Sequence, residues 1–246
     1  MDVIYKYSPE ELELLSSFPE NERQSLRSRI ENGELSAYVF GKKYFYRSYF
    51  EINGDCLIPR PDTERVVEAV VSLLPNGGIF ADLCTGCGCI GLSVLLDRKD
   101  AEAVLIDISR GALEAAQKNA VALGVSERAT IQASDIMECD DIDGTYDIIV
   151  SNPPYLRTDE INEYPALAAE PRIALDGGCD GLDFYKRIIS AFKKNLKKDG
   201  IFVFEIGYTQ AEDINTLAGC QGFDCEILKD YGGNDRVAIL RKGTAK

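Results

Sequence analysis

The stretch Tyr146-Asp147-Ile148-Ile149-Val150-Ser151, followed at once by Asn152-Pro153-Pro154-Tyr155, decides how this chain is read. Ile148, Ile149 and Val150 form the unbroken β-branched run of a strand buried on both faces. Pro153 and Pro154 lack the N–H that a ladder needs, so the strand must stop there. Pro153 also keeps Asn152 out of the helical region and extends its backbone. Asn152 is therefore expected at the mouth of a strand, its amide projecting beyond the sheet. In open α/β sheets, that rim is where ligands bind. Taken alone, Asn-Pro-Pro is also simply a strong turn.

A second constellation, upstream, supports the functional reading. Residues 79–83 read as a strand, and Cys84-Thr85-Gly86-Cys87-Gly88 as a glycine-rich turn that opens a helix over 89–96. Residues 104–106 form a second strand ending in Asp107. Ser109 caps a helix with Leu113, Ala116, Ala120 and Leu123 on one face, and a short strand near 130–132 leads to Asp135. This alternation predicts an α/β fold built on a parallel sheet with right-handed crossovers. A helix over 182–196 and a strand over 201–206 continue it. Residues 223–228 and 236–240 close it as a pair around Tyr231-Gly232-Gly233-Asn234-Asp235. The aperiodic stretch 155–180 between them is long enough to be a functional loop.

Gly86 and Gly88 let the backbone approach a ligand closely, and the following helix directs its N–H groups at it. Asp107 ends the adjacent strand, where its carboxylate can accept both hydroxyls of a ribose. Asp135, after the third strand, is expected beside an adenine edge. Gly86-Cys87-Gly88-Cys89-Ile90-Gly91 also matches the dinucleotide fingerprint G-x-G-x-x-G, so a nicotinamide or flavin enzyme is one rival. Asp82 argues against it. A carboxylate there suits the ammonium end of S-adenosylmethionine and repels a pyrophosphate. Cys84-Thr85-Gly86-Cys87 is formally a C-x-x-C, but no second ligand pair matches it, and small residues packing a tight turn explain it better. No metal is expected.

The composition narrows the chemistry. With 246 residues, 45% of them hydrophobic, the chain can form one large domain or a domain with an appendage. No apolar run reaches the ~18 residues needed to cross a bilayer. The start, Met1-Asp2-Val3-Ile4-Tyr5-Lys6, lacks a basic flank before an apolar stretch, so no signal peptide is expected. A net charge of −14 opposes a non-specific grip on nucleic acid and suits a basic partner. The 8 cysteines show no disulfide framework and read as reduced thiols of a cytoplasmic protein. No histidine is present, which removes the usual general base and the Ser-His-Asp and Cys-His schemes.

At the amino-terminal side, Ser8, Pro9 and Glu11 predict a capped helix, and Asn32-Gly33 ends a second one. Tyr38 to Tyr46 suggest a hairpin turning at Gly41-Lys42-Lys43. Pro59-Arg60-Pro61 holds an extended lead-in to a helix beginning near Asp62. Arg60, Asp62 and Glu64 are either caps and surface pairs or neighbours of the cofactor mouth. The expected organisation is a helical segment over 1–36, too small to bury a core alone and so docking on something else, a hairpin and connector over 37–60, and the α/β domain over 61–246.

Several motifs occur together and in order. They are Ile58-Pro59-Arg60-Pro61-Asp62-Thr63-Glu64, Asp82 to Gly88, Ser151 to Tyr155, Glu170-Pro171, Asp180-Gly181-Leu182-Asp183-Phe184-Tyr185, Glu205-Ile206-Gly207 and Asn234-Asp235-Arg236-Val237. In this the chain resembles the peptide chain release factor glutamine methyltransferase family, also called the HemK family, from about residue 35 to 240. The resemblance implies a Rossmann-like methyltransferase sheet, mostly parallel with an antiparallel last strand. It implies S-adenosylmethionine as donor, leaving S-adenosylhomocysteine, and as substrate the glutamine in the Gly-Gly-Gln loop of class I release factors. It further implies that Cys84, Thr85, Gly86, Cys87 and Gly88 line the cofactor turn and that Asp107, with Ile108 beside it, binds the ribose. Asp135 and Ile136 would lie by the adenine, and Asn152, Pro153, Pro154 and Tyr155 would hold the glutamine. Ile136 stands where some members carry an aromatic ring, and the helical piece before residue 35 is shorter than their usual amino-terminal bundle.

Elementary chemistry agrees. An amide nitrogen is a poor nucleophile, because its lone pair is delocalised. Asn152 Oδ1 and the Pro153 carbonyl can accept its two N–H groups and aim the nitrogen at a methyl group. Tyr155 can pack on the amide plane. The methylated nitrogen can lose its proton to water, so no histidine is needed. The same Asn-Pro-Pro-Tyr also serves base-modifying methyltransferases and ribosomal-protein glutamine methyltransferases. The acidic charge opposes the first, and the wording around Arg60 is closer to the release-factor branch. A cofactor-binding partner subunit without catalysis is the remaining alternative, made less attractive by the intact Asn152 to Tyr155.

Overall fold

A computed structural model describes residues 7–163 and 165–243. Met1 to Lys6, on which the signal-peptide reading rests, lie outside these. Helix α1 (Pro9–Ser17) starts as read: Ser8 Oγ accepts from Glu11 N at 3.2 Å, and Glu11 Oε2 accepts from Ser8 N at 2.8 Å. After Pro19 comes α2 (Glu20–Glu31), then α3 (Ser36–Phe40). Together they bury Leu14, Leu15, Ile30, Val39 and Phe40 in a small apolar cluster of their own.

The predicted hairpin is displaced. Residues 36–40 are helical, and Gly41, at φ +67°, ends that helix instead of making a hairpin turn. The hairpin is β1 (Lys42–Phe45) with β2 (Ser48–Glu51), and it turns at Tyr46-Arg47. Tyr46 takes φ +57° without being glycine. Distant groups hold it there: Glu64 Oε1 accepts its N–H at 2.8 Å, and its hydroxyl donates to Asp97 Oδ2 at 2.8 Å.

A 3-10 turn at Pro61–Thr63 leads into α4 (Glu64–Leu73), whose Val66, Val67 and Val70 are fully buried. The α/β series follows in order: β3 (Ile79–Leu83), α5 (Cys89–Asp97), β4 (Glu102–Asp107), α6 (Arg110–Ala122), β5 (Ala129–Ala133) and β6 (Tyr146–Ser151). The long stretch after β6 holds α7 (Thr158–Glu163) and 3-10 turns, and then come α8 (Asp183–Phe192) and β7 (Leu196–Glu205). Helix α9 (Ala211–Cys220), which propensity did not reveal, buries Ile214 and Ala218 before β8 (Phe223–Lys229) and β9 (Asp235–Lys242).

The seven strands lie in the order β5-β4-β3-β6-β7-β9-β8. The first five run parallel, and β9 runs antiparallel to both neighbours. Along β6, Ile148 and Val150 pack with α4 and α5 on one face, while Ile149 packs with α8 and α9 on the other. That accounts for the continuous apolar run. Strand β3 connects to β4 on one side and pairs with β6 on the other, so the strand order reverses between β3 and β6. Such a switch point opens a crevice at the carboxyl ends of the strands. Leu83 is in register with Ile106 and with Ser151, so Cys84, Asp107 and Asn152 emerge side by side.

Candidate active site at the carboxyl ends of the sheet

The turn after β3 is held mainly by carboxylates. Asp107 Oδ2 accepts from Gly86 N at 2.8 Å and Oδ1 from Ser109 N at 2.9 Å. Burial pushes its pKa up, opposed by these N–H donors. Each carboxylate oxygen keeps a second lone pair that a ligand hydroxyl can use. Gly86 lies at φ +56° and Cys84 at φ +57°, a conformation costly for a residue with a side chain.

Two expected cofactor contacts are placed elsewhere. Asp82 is fully buried behind the turn and does not line the cavity. Its Oδ2 accepts from Thr85 Oγ1 at 2.7 Å and from Gly91 N at 2.9 Å, while Oδ1 has no partner among the described residues. Burial raises its pKa to about 7. Gly88 also lies outside the lining; a Cβ there would sit 2.9 Å from Leu92 Cδ1, so it serves the packing of the turn on α5. Asp82 is thus a brace. By taking the Gly91 N–H it also removes a donor that the first turn of α5 would otherwise offer to a phosphate, which weakens the dinucleotide rival.

The remaining cofactor candidates share one cavity. Cys84, Thr85, Gly86, Cys87, Asp107, Ile108, Asp135, Ile136 and Asn152 line it, together with Met137 and Phe184. Asp135 Oδ1 accepts from Met137 N at 2.9 Å, tightening the loop after β5. Ile136 is buried and Ile108 is 45% exposed, so the apolar end is closed on one side and open on the other. Among the described residues, Arg60 is the one cation of the lining, so the wall is apolar and acidic, which fits a nucleoside with a cationic group.

Asn152 separates this cavity from a second one, which Pro153, Tyr155, Leu156, Leu167, Leu175 and Glu205 line with Arg60. Asn152 Nδ2 donates to Thr63 Oγ1 at 3.4 Å. Among the described residues, no donor reaches Asn152 Oδ1 or the Pro153 carbonyl. Pro154 lines the first cavity instead. The backbone behind the motif is tightly held. Leu156 N donates to Leu175 O at 3.0 Å, Gly177 N to Leu156 O at 2.8 Å, and Gln210 Nε2 to Tyr155 O at 3.1 Å. A Cβ on Gly177 would meet Pro154 O at 2.7 Å, which explains glycine at that position.

Sequence reasoning missed several of these partners. Thr63, 2% exposed, was read only as part of a helix start, although it touches Asn152 across 89 positions. Arg60 pairs with Glu170, which also accepts from Ile58 N at 3.1 Å, so the loop after β6 is clamped onto the extended lead-in. Glu205 ends β7 almost fully buried and accepts from the Tyr155 hydroxyl at 3.3 Å. Its position at the end of a strand next to β6 was the available signal. Cys56, Cys84, Cys87 and Cys89 all line the first cavity, and burial holds the Cys84 thiol well above its ordinary pKa. Among the described residues, no group of three or more His, Cys, Asp or Glu side chains is arranged to hold a metal, and no helix is long and apolar enough to cross a membrane.

The chain is similar to known methyltransferases. Residues 64–169 match the family described as "Methyltransferase small domain". The chain is 41% identical over 212 residues to the release factor glutamine methyltransferase of Clostridium acetobutylicum, covering 84% of this chain and 74% of that one. It is 39% identical over 217 residues to the protein of the same name from Neisseria gonorrhoeae, covering 87% of this chain and 79% of that one. Among solved structures, a methyltransferase from Pyrococcus furiosus superposes with a TM-score of 0.61 at 14% identity, over 91% of this chain and 100% of that one. The architecture is thus the Rossmann-like methyltransferase fold.

Proposed function

This chain belongs to the release factor glutamine methyltransferase family, and we infer that it transfers a methyl group from S-adenosylmethionine to the side-chain amide nitrogen of the glutamine in the Gly-Gly-Gln loop of a class I peptide chain release factor. One observation carries the mechanism: Asn152 Oδ1 and the Pro153 carbonyl are two open acceptors beside the wall between two cavities. A carboxamide nitrogen has two N–H groups, and two fixed acceptors match them.

S-adenosylmethionine, when bound, supplies a methyl carbon made electrophilic by its sulfonium. We assign the ribose hydroxyls to Asp107, the adenine to Asp135, Ile108 and Ile136, and the rest of the cofactor to the turn at Cys84, Thr85, Gly86 and Cys87. Asn152 and Pro153 then hold the glutamine nitrogen with its π-face toward the first cavity. Confining it at near-attack distance offsets the weak nucleophilicity of an amide. Tyr155 flanks the amide, and burial keeps its phenol protonated well beyond neutral pH. The nitrogen turns acidic as it gains the methyl group, and its proton leaves to water.

Residues 1–36 are assigned to docking of the release factor, 37–60 to the connection and 61–246 to catalysis. A substrate from the translation apparatus assigns the protein to the cytoplasm. Incubation with isotopically labelled S-adenosylmethionine and a purified release factor, followed by peptide mapping, tests the reading. The label is expected on the glutamine of Gly-Gly-Gln; label elsewhere, or none, would refute it.

A further inference from the structure

An asparagine amide can present either its oxygen or its nitrogen to a ligand. Only the oxygen helps here, because the glutamine nitrogen brings donors. The side chains behind Asn152 bear on that choice. Its Nδ2 faces the Thr63 hydroxyl at 3.4 Å. Thr63 is buried beside the Glu205 carboxylate, whose Oε2 is the unpartnered acceptor its hydroxyl can turn to. Glu205 is 1% exposed, lines the second cavity, and has an Oε2 with no hydrogen bond of standard geometry among the described residues. Its Oε1 accepts from Tyr155 at 3.3 Å; burial pushes the pKa of this carboxylate up, opposed by Thr63, by the charge of Arg236 and by Tyr155.

We propose that Thr63 and Glu205 are positioning residues for methyl transfer, forming a one-way relay that turns the oxygen of Asn152 toward the substrate. Once Glu205 is ionised, its carboxylate can only accept. The single Thr63 proton is therefore drawn to Glu205, and the Thr63 oxygen is left to accept. Asn152 meets that oxygen with Nδ2, so Oδ1 must point the other way. A flipped Asn152 would set two acceptors against each other and offer the substrate nitrogen a donor. The same carboxylate takes the Tyr155 hydroxyl, so one buried charge orients the side chains on both sides of Pro153-Pro154. Contacts of 3.3–3.4 Å are long, as site hydrogen bonds often are before a ligand tightens them.

This relay rests on the glutamine-methyltransferase reading, and two readouts keep them separate. The first is kinetic. Thr63→Val and Glu205→Gln are expected to lower kcat about 30- to 100-fold, less than the roughly 10²–10³-fold lost when a group touching the reacting atoms is removed. KM for the release factor and affinity for S-adenosylmethionine should stay within about threefold. Thr63→Ser, which keeps the hydroxyl, should recover kcat to within about threefold of the original. The second readout needs no turnover. With 15N-labelled asparagine, the Asn152 side-chain amide signal, assigned by its loss in Asn152→Ala, should shift in Thr63→Val and return in Thr63→Ser. An unchanged signal and unchanged kcat in Thr63→Val, or a Thr63→Ser protein as impaired as Thr63→Val, would overturn the relay. An original protein that labels no glutamine would overturn the reading instead, and the amide signal would still judge the relay. Should Glu205→Gln fail to fold, the Thr63 pair decides.

Discussion

The turn after β3 and the motif after β6 leave the same rim of the same sheet, one strand apart, yet they are finished in opposite ways. In the first, internal partners are taken up. Asp107 holds Gly86 and Ser109, and Asp82 holds Thr85 and Gly91. In the second, two acceptors stay open, and rigidity comes from behind through Gln210, Leu175 and Gly177. The first region spends its donors on bracing its own turn and gains shape, whereas the second keeps two acceptors facing outward and gains chemistry. The first suits holding a cofactor, the second gripping a substrate amide.

Four substitutions probe that contrast. The largest effect is expected from Asn152→Ala, which removes an open acceptor: methyl transfer to the release factor should fall by about 10²–10³-fold, as when one oriented partner is lost from a reacting group. Binding of S-adenosylmethionine, measured by calorimetry, should stay within a few-fold. A large loss of cofactor affinity instead would mean that the two regions are not separable. Next, Gly177→Ala places a methyl group against Pro154 O and the Tyr155 backbone, 2.7 and 2.8 Å from the built Cβ. Displacing the motif by about 1 Å should cost on the order of 10²-fold in turnover or less, again with cofactor affinity nearly unchanged.

Asp82→Asn tests the brace through pH. The folded pKa of Asp82, about 7, lies above its ordinary value of 3.8. The folded state therefore binds the proton more tightly than the unfolded one. That contribution is fully present below about pH 4 and is lost as pH rises through about 7. The melting temperature of the original protein relative to Asp82→Asn should decline across that window and level off above it. A constant difference would exclude Asp82 as a buried acid with a raised pKa. The smallest effect is expected from Cys84→Gly. Removing a side chain from a left-handed position relieves about 1–2 kcal/mol of strain, less the entropy glycine adds to the unfolded chain. A rise of a few degrees or less in melting temperature should accompany near-constant cofactor affinity. A destabilised variant would mean that the thiol packing outweighs the strain.

What was legible followed from local signals. Ile148-Ile149-Val150 could only be a strand covered on both faces, and two prolines could only end it. The glycine turn, Asp107 and the Ser109 cap have equally local causes. The features that were not legible have distant ones. Tyr46 turns the hairpin because Glu64 and Asp97 hold it there, two partners far off in the sequence. Asp82 lies on a strand whose neighbours close over it, so its carboxylate serves the turn from behind. Thr63, Glu205 and Asn152 are brought together only by β7 lying beside β6 and by the lead-in to α4 crossing the rim. Helix α9 carries Thr216 and Gly219, poor helix formers that obscured the spacing of Ile214 and Ala218.

The three amino-terminal helices keep an apolar cluster of their own, while the hairpin after them buries Phe45 and Phe50 in the main core. Cooperativity should divide along that line. Backbone amides of α1 and α2 should exchange with deuterium through a low-energy partial opening, while those of β3 and β6 wait for global unfolding. A protease working under native conditions would then cut first among these helices, leaving a trimmed protein whose sheet still melts as one unit.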